Sequence, residues 1–222
     1  MLYLKNFFCF VAAVTLSFGS AFALDLNAVF DNQKKAAFPD TCEIRMRTTV
    51  TLPGGTETVE TTVIQAGNSK SVTTVKSRMV QMKIVQNDGR MKVIDLKTGK
   101  TLPATNIPAE NPADMNRQMG NPDDYSSPEA EGSLWKITPK YASRPTLFYS
   151  VREKRIVRMA VPVQGATAET DLEYSDASSA LPGTLKKVTI VTRVAGGESK
   201  VVLEVLGVKR RQVLPGKMFD VE

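Results

Sequence analysis

The amino-terminal part of the chain has the hydrophobic spacing of a helix. Leu26, Val29 and Phe30 fall on one face at helical spacing, which predicts a helix with a single apolar stripe. Asp25 can cap the start of this helix, and Pro39 enforces its end after residue 38. We therefore expect the helix to pack one side against an apolar surface.

Beyond Pro39 the hydrophobic period changes to two, which is the pattern of half-buried β-strands. Turn sequences separate these strands, among them Asn87-Asp88-Gly89, whose Asp-Gly pair tolerates the positive φ angles of a tight hairpin. The ten predicted strands are 41–52, 56–65, 70–86, 91–96, 134–138, 146–151, 155–163, 170–174, 185–194 and 200–208. Sequential pairing predicts a mainly β fold with one strongly curved antiparallel sheet.

The segment 102–132 departs from this pattern, since it contains five prolines and no alternation. A loop of roughly 30 residues is unusual inside a compact domain and is typical of lids, binding loops or disordered segments. Asn111 and Pro112 within it predict the start of a short helix. Met115 and Met119 would share the inner face of that mid-chain helix, which could cover the concave face of the sheet together with the amino-terminal helix.

Residues 1–23 have the features of a secretory signal peptide. Lys5 supplies the positive charge, residues 7–18 supply an apolar core, and Ala21 and Ala23 supply small residues at the cleavage site. We expect cleavage after about Ala23 and a single domain over residues 24–222. The alternative is an uncleaved membrane anchor, although the apolar run is shorter than the about 20 residues of a typical membrane crossing.

The composition excludes several kinds of site. Histidine is absent, which removes Ser-His-Asp catalysis, Cys-His catalysis and imidazole zinc sites. Cys42 is the only cysteine left once the leader is removed, so it cannot form an internal disulfide, and we expect it to be a buried apolar residue. No phosphate loop, dinucleotide fingerprint or calcium-loop spacing occurs. We therefore predict no cofactor and no metal.

Acid–base catalysis without histidine would need paired carboxylates. The candidate pairs are Asp123 with Asp124, Glu129 with Glu131, and Glu169 with Asp171. All lie in polar surroundings without apolar neighbours to raise a pKa, so we interpret them as solvated charge and predict that the protein is not an enzyme. The densest basic run, Lys209-Arg210-Arg211, lacks interleaved aromatic residues and predicts a solvated strand edge instead of a nucleic-acid site.

Methionine is prominent among the apolar residues of the mature chain, with eight members at mostly strand or lid positions. Methionine makes adaptable surfaces that accept flexible apolar ligands, so a curved sheet lined by Val, Met and Leu is able to hold an acyl chain. The same residues are able to fill an ordinary core, and spacing alone favours that interpretation. Both interpretations stay open.

Several short motifs lie in a characteristic order along nearly the whole mature chain. They are Val75-Lys76-Ser77-Arg78, Asn87-Asp88-Gly89-Arg90-Met91-Lys92-Val93, Leu134-Trp135-Lys136-Ile137, Tyr174-Ser175-Asp176, Leu181-Pro182-Gly183-Thr184-Leu185 and Leu214-Pro215-Gly216-Lys217-Met218-Phe219-Asp220. After a signal peptide and a short helix, this order resembles the periplasmic lipoprotein-carrier family, the LolA-like outer-membrane lipoprotein-sorting proteins. Each motif alone is common, and the resemblance lies in their order and spacing.

The resemblance implies an incomplete β-barrel of about eleven strands in the periplasm, with helices over the concave side and a hydrophobic cavity for acyl chains. It also implies that Arg78 stands where an arginine of the carrier holds the lid shut. The candidate cavity and lid residues are Val63, Arg78, Val80, Met82, Val93, Met115, Met119, Tyr149, Met159 and Leu172.

Two functions follow as hypotheses. The first is a monomeric periplasmic carrier of lipoprotein acyl chains or another lipid, with an inner-membrane exporter and an outer-membrane acceptor as partners and no nucleic acid. The second is a non-enzymatic envelope sensor or scaffold of the same fold, which binds protein partners and has no open cavity.

Overall fold

The computed structural model describes residues 24–35, 38–67, 69–103, 119–163, 166–194 and 197–221. The predicted signal peptide and residues 111–118 of the predicted mid-chain helix lie outside these ranges. The described part contains helix α1 (Leu26–Lys34) and two short 3-10 helices, Pro122–Asp124 and Gly216–Phe219. Its strands are β1 (Thr41–Leu52), β2 (Gly55–Ala66), β3 (Lys70–Lys76), β4 (Gln81–Asn87), β5 (Arg90–Asp95), β6 (Thr101–Leu102), β7 (Glu129–Glu131), β8 (Leu134–Ile137), β9 (Thr146–Ser150), β10 (Arg155–Val163), β11 (Ala166–Tyr174), β12 (Leu185–Val194) and β13 (Gly197–Arg210).

All of these strands belong to one antiparallel sheet that is not closed into a barrel. Their order is β6-β5-β4-β3-β2-β1-β13-β12-β11-β10-β9-β8-β7. Strands β1–β6 form one meander and β7–β13 form another, and the two meanders join through the pair β1–β13. The prediction of a mainly β protein with a single antiparallel sheet and an amino-terminal helix is confirmed.

The number of strands differs from the ten read from the sequence, because the sheet has 13. The predicted strand 70–86 is interrupted, since the Ser77 hydroxyl accepts hydrogen bonds from the backbone N–H groups of Met79 (3.2 Å) and Val80 (3.0 Å) and bends the chain into a loop. Strands β6 and β7, of two and three residues, are too short to show alternation.

The local signals at the start of the helix and at one hairpin are confirmed, whereas the helix ends at Lys34, before the predicted end at residue 38. The Asp25 carboxylate accepts a hydrogen bond from the Asn27 N–H at 2.9 Å, and Val29 and Phe30 are buried on the apolar stripe. The β4–β5 turn places Asp88 at φ 49° and Gly89 at φ 83°, which are the left-handed angles that a tight hairpin requires.

Strand register gives the sheet two distinct faces. A row of residues stands side by side across five strands, namely Ile44, Val63, Thr73, Ile84 and Val93. Helix α1 packs on the same face in the other half of the sheet, against residues such as Met159 and Leu172. We call this side the inner face and the opposite side the outer face.

The outer face also carries a small apolar cluster, in the first meander. Val72 and Val85 lie opposite each other on β3 and β4, and Phe219 from the carboxyl-terminal 3-10 helix packs onto them. Leu214 and Met218 extend this contact. The chain after β13 therefore crosses to the outer face and covers an apolar patch that would otherwise meet water.

Candidate ligand-binding face

The largest apolar cluster lies between α1 and the inner face of the second meander. Its buried members are Val29, Phe30, Met119, Tyr125, Ile137, Leu147, Tyr149, Ile156, Met159, Leu172, Leu185 and Val188. The rings of Phe30 and Tyr125 meet at a centroid distance of 5.5 Å, tilted by 53°. The apolar residues of strands β8–β12, which alternate with polar ones, form one side of this cluster. The apolar stripe of α1 packs against them, so that the apolar side of the sheet and the apolar side of the helix are both covered.

A buried glutamine fixes α1 to the sheet. Gln33 is 2% exposed, and its amide Nε2 donates to the Tyr174 hydroxyl at 2.9 Å. Its Oε1 accepts from the backbone N–H of Ile156 at 3.3 Å, next to the register shift between Ile156 and Arg158 on β10. The Tyr174 hydroxyl donates in turn to the Ile156 carbonyl at 2.7 Å. A β-bulge leaves backbone groups unpaired, and Gln33 satisfies one of them here.

An arginine joins the same junction from β10. The guanidinium carbon of Arg155 lies 5.2 Å from the centroid of the Tyr174 ring, and its Nη1 donates to the Asn32 carbonyl of α1 at 3.3 Å. Gly183 leaves the space for this guanidinium, because a Cβ at that position would overlap it. Burial raises the pKa of the Tyr174 hydroxyl to about 12, so this hydroxyl is a hydrogen-bond donor at neutral pH.

A second apolar cluster continues along the inner face at the junction of the two meanders. Its buried residues are Cys42, Ile44, Met46 and Val63. Burial, with a smaller contribution from the Asp40 carboxylate, raises the pKa of the Cys42 thiol to about 11. The expectation that Cys42 is a buried apolar residue is confirmed.

A small pocket lies between these two clusters. It measures about 160 Å³ and is lined by residues of the loop 175–184 and of β13, including Leu181, Leu185 and Val205. Leu185 belongs to the first cluster and Val205 packs against the second. Pockets for small ligands usually measure about 300–1,000 Å³, so this pocket alone is too small for a long acyl chain.

The structure places the candidate residues in three groups. Met119, Tyr149, Met159 and Leu172 meet in the first cluster, and Val63 lies in the second. Val93 is fully buried and Met82 half-buried on the inner face of the first meander. Arg78 and Val80 lie instead in the exposed β3–β4 loop, where Ser77 ends β3 early, and Met115 is outside the described residues.

Four of the six clustered carboxylates take part in ion pairs. The N–O distances are 3.2 Å for Arg144–Asp124, 3.7 Å for Lys136–Glu131, 3.5 Å for Arg193–Glu169 and 2.8 Å for Arg158–Asp171. By register Glu131, Glu169 and Asp171 point away from α1, on the outer face. These three carboxylates are therefore separated from the apolar inner face.

Sequence reasoning missed the polar residues that hold α1 in place. Gln33 lies one turn beyond Val29 and Phe30 and occupies the helix face that was predicted to be apolar. Arg155 appeared only as a member of a strand, and Tyr174 only as a member of a strand and of one short motif. A glutamine on an apolar helical stripe was the available signal, because such a residue needs a buried hydrogen-bond partner.

Comparison with solved structures defines the class of fold. A LolA superfamily protein from Nitrosomonas europaea matches with a TM-score of 0.60 over 89% of this chain and 98% of its own, at 15% identity. A domain named as an outer membrane lipoprotein-sorting protein, from Vibrio parahaemolyticus, matches with a TM-score of 0.53 over 88% of this chain and 97% of its own, at 8% identity. A DUF1329 family protein from Desulfovibrio piger has a TM-score of 0.51 over 88% of this chain and 97% of its own, at 11% identity.

The chain thus has a LolA-like fold, as its motif order predicted. Neither a protein-family model nor a curated protein matches the sequence. Within the described ranges, no helix has the length and apolar character needed to span a membrane.

Proposed function

We propose that the protein is a non-enzymatic carrier that binds the acyl chains of a lipoprotein, or another lipid, between α1 and the inner face of the sheet. The observation that carries this proposal is the continuity of that face. Apolar residues line it from Val93 in the first meander to Leu172 and Met159 in the second, in a sheet that does not close on itself. Carriers of flexible chains need such an extended apolar surface with a removable cover.

The cover is α1, and opening it is the step that binding requires. The pocket of about 160 Å³ is small for an acyl chain, whereas displacement of α1 exposes the surface beneath Val29 and Phe30. Each CH₂ group that a ligand buries there contributes about 0.8 kcal/mol, so ten groups supply about 8 kcal/mol before ordering costs. That gain offsets the loss of the hydrogen bonds at Gln33 and Arg155.

The expected setting is the periplasm, with residues 1–23 removed and residues 24–222 folded as one domain. A carrier of this kind receives its ligand from an inner-membrane exporter and delivers it to an outer-membrane acceptor. The solved structure from Vibrio parahaemolyticus, named for outer membrane lipoprotein sorting, supports this setting through its fold.

The chain's single tryptophan provides a direct test. Trp135 packs against the first cluster and pairs with Tyr149 on the inner face. We expect a fatty acid that carries a nitroxide quencher on its chain to reduce Trp135 fluorescence in a saturable way. Native mass spectrometry of protein recovered from the envelope should also reveal bound lipid.

A matched control moves the fluorophore to the other face. Phe148, the neighbour of Tyr149 on β9, pairs with Lys136 on the outer face. In the double variant Trp135→Phe, Phe148→Trp the same fatty acid should cause little quenching. Equal quenching of both proteins, or none of the wild type, would contradict binding at the inner face.

The small size of the pocket favours the scaffold as the second candidate, in which the inner face is a packed core. Met82→Asp separates the two functions, since Met82 is half-buried on the inner face of β4. A carrier would lose fatty-acid binding and keep its fold, whereas a scaffold would show no fatty-acid binding in any form. Lys83→Asp on the outer face of the same strand is the control.

A further inference from the structure

One end of the sheet carries an exposed apolar and basic surface that the proposed ligand-binding face does not use. It consists of the β3–β4 loop, residues 77–80, and the β5–β6 turn, residues 96–100, and we call it the tip. The exposed fractions of its apolar side chains are 76% for Met79, 41% for Val80 and 40% for Leu96. Single exposed apolar residues are common on protein surfaces, but adjacent ones indicate a contact site.

The two segments of the tip are bonded to each other. The Lys97 Nζ donates to the carbonyls of Arg78 and Met79, both at 3.4 Å, and the Leu96 N–H donates to the Gln81 carbonyl at 2.9 Å. The Ser77 N–H donates to the Val80 carbonyl at 2.7 Å. These hydrogen bonds order the loop that exposes Met79. Binding of a partner therefore requires little further loss of conformational entropy in this loop.

The charged side chains within the two segments of the tip, and the adjacent Lys76, are all basic. Lys76, Arg78, Lys97 and Lys100 are all exposed, and neither residues 76–80 nor residues 96–100 contain an aspartate or glutamate. No ion pair between described residues involves these four side chains. Two acids lie beside the tip and leave its four cations in excess. Asp95 accepts a hydrogen bond from the backbone N–H of Lys97 at 2.7 Å, which lowers its pKa, and Glu60, opposite Lys76 on β2, forms an ion pair with Arg47 at 3.8 Å.

We propose that the tip docks the protein on the surface of an anionic lipid bilayer. Met79, Val80 and Leu96 would enter the boundary between headgroups and acyl chains, and the surrounding basic residues would meet lipid phosphates. Apolar side chains ringed by lysine and arginine are suited to such an interface, because burial and attraction to anionic lipid act together. This inference does not depend on ligand binding at the inner face.

Vesicle sedimentation tests the proposal with the exported protein, recovered after removal of the predicted signal peptide. We expect binding to vesicles of phosphatidylcholine with phosphatidylglycerol, much weaker binding to phosphatidylcholine alone, and a decrease as salt rises. Lys76→Gln with Lys100→Gln should lower the partition coefficient about 25-fold, because each basic residue near an anionic surface contributes about fivefold. Met79→Ser with Leu96→Ser should lower it at least about tenfold.

Two control variants make the same kinds of substitution at exposed positions outside the tip. Val213→Ser removes an apolar residue that is 84% exposed but lies after β13. Arg152→Gln with Lys154→Gln removes two exposed charges from the β9–β10 turn, at the opposite end of the sheet. Both should bind vesicles as the wild type does, and all four variants should keep the wild-type circular dichroism spectrum.

The proposal is overturned if the wild type shows no preference for anionic vesicles, if the tip variants bind as well as the wild type, or if the controls lose as much binding as the tip variants. Quenching of Trp135 by labelled fatty acid in the same tip variants separates this result from the carrier function. Intact quenching in tip variants that no longer bind vesicles would show that the two functions are separate, whereas quenching in a wild type that does not bind anionic vesicles would refute the tip proposal alone.

Discussion

At the scale of single residues, Gln33 connects the helix to the sheet. Its buried amide both donates to Tyr174 and accepts from Ile156. A buried amide whose nitrogen and oxygen both have hydrogen-bond partners fixes the rotation of α1 about its axis more strictly than apolar contacts do, because hydrogen bonds depend on direction. The register of the helix against β10 therefore depends on this side chain.

Gln33→Leu should lower the free energy of unfolding by about 2 kcal/mol. The substitution keeps a similar volume but leaves the Ile156 N–H without a partner, and an unsatisfied buried group costs about 1–3 kcal/mol. Urea denaturation followed by circular dichroism measures the change. Gln212→Leu, at an exposed position, is the control, and a loss below about 0.5 kcal/mol for Gln33→Leu would contradict the role assigned to this amide.

Tyr174 should make stability depend on pH in the alkaline range. Burial raises the pKa of its hydroxyl to about 12 in the folded state, whereas an unfolded tyrosine titrates near pH 10. The unfolded state therefore releases its proton first as pH rises, and the contribution of Tyr174 to stability is complete below about pH 10 and is lost up to about pH 12.

The comparison of wild type with Tyr174→Phe isolates this contribution. Denaturation midpoints of the wild type should fall faster between about pH 10 and pH 12 than those of the variant, which cannot ionise at this position. Parallel curves would show that the Tyr174 hydroxyl has the same pKa in both states. Tyr125, whose pKa is also raised by burial, is present in both proteins and cancels.

Residue identity predicted caps and turns well, and polar burial poorly. Asp25 and the Asp88-Gly89 pair act as expected, because capping and positive φ depend on neighbouring backbone atoms. Gln33 pairs with Tyr174, which lies 141 positions away. No local pattern contains that information.

At the scale of elements, the junction of α1, β10 and the loop 175–184 depends on a glycine. Gly183 has φ +73°, and a Cβ there would overlap the Arg155 guanidinium. The absence of a side chain lets Arg155 reach both the Tyr174 ring and the Asn32 carbonyl. The Leu-Pro-Gly motif noted in the sequence thus supports the attachment of the helix.

Gly183→Ala should destabilise the protein more than Gly99→Ala does. Both glycines have φ near +70°, but a Cβ at Gly99 meets nothing within 4 Å. Each substitution pays about 1–2 kcal/mol for the left-handed backbone, and Gly183→Ala should cost about 1 kcal/mol more through displacement of Arg155. Thermal and urea denaturation measure the difference, and equal losses would mean that Arg155 contributes nothing at this junction.

Element boundaries were predicted where the alternation continues over a long strand and missed where side chains redirect the backbone. Strands β10 and β12 have the predicted bounds, although a register shift interrupts the alternation of β10 between Ile156 and Arg158. The break between β3 and β4 depends on the Ser77 hydroxyl and on Lys97 from another turn. The apolar cluster on the outer face was also not predicted, because Val72 and Val85 are part of a cluster only through their contact with Phe219.

At the scale of the whole molecule, the pair β1–β13 holds the two meanders together. β1 is hydrogen-bonded to β2 on one side and to β13 on the other, whereas β6 and β7 form the edges of the sheet. Central strands open only when much of the fold opens, and edges open locally.

Hydrogen exchange followed by mass spectrometry should reflect this order. Amides of β1 and β13 should exchange slowest, at a rate set by global unfolding, and those of β6 and β7 should exchange first. If the amides of the β1–β13 pair exchange as fast as those of the edge strands, the two meanders unfold independently.

The sequence predicted the class of sheet and several of the inner-face residues, because period-two alternation assigns each residue to a face. It did not predict how fully that face is packed. Met119, Tyr149, Met159 and Leu172 were chosen as cavity residues, and they meet one another and α1 in a closed cluster. Whether facing side chains touch or leave space depends on sheet curvature and helix position, which spacing alone does not encode.

The position of β13 beside β1 sets the timing of assembly. The Arg211 guanidinium donates a hydrogen bond to the Glu43 carboxylate beside the β1–β13 pair, and the two residues are 168 positions apart. Until the later segment has been synthesised, β1 presents a bare edge of N–H and C=O groups to any neighbouring chain. Distant pairing of this kind is slow. The newly made polypeptide should therefore depend on a holding chaperone before its two halves can join.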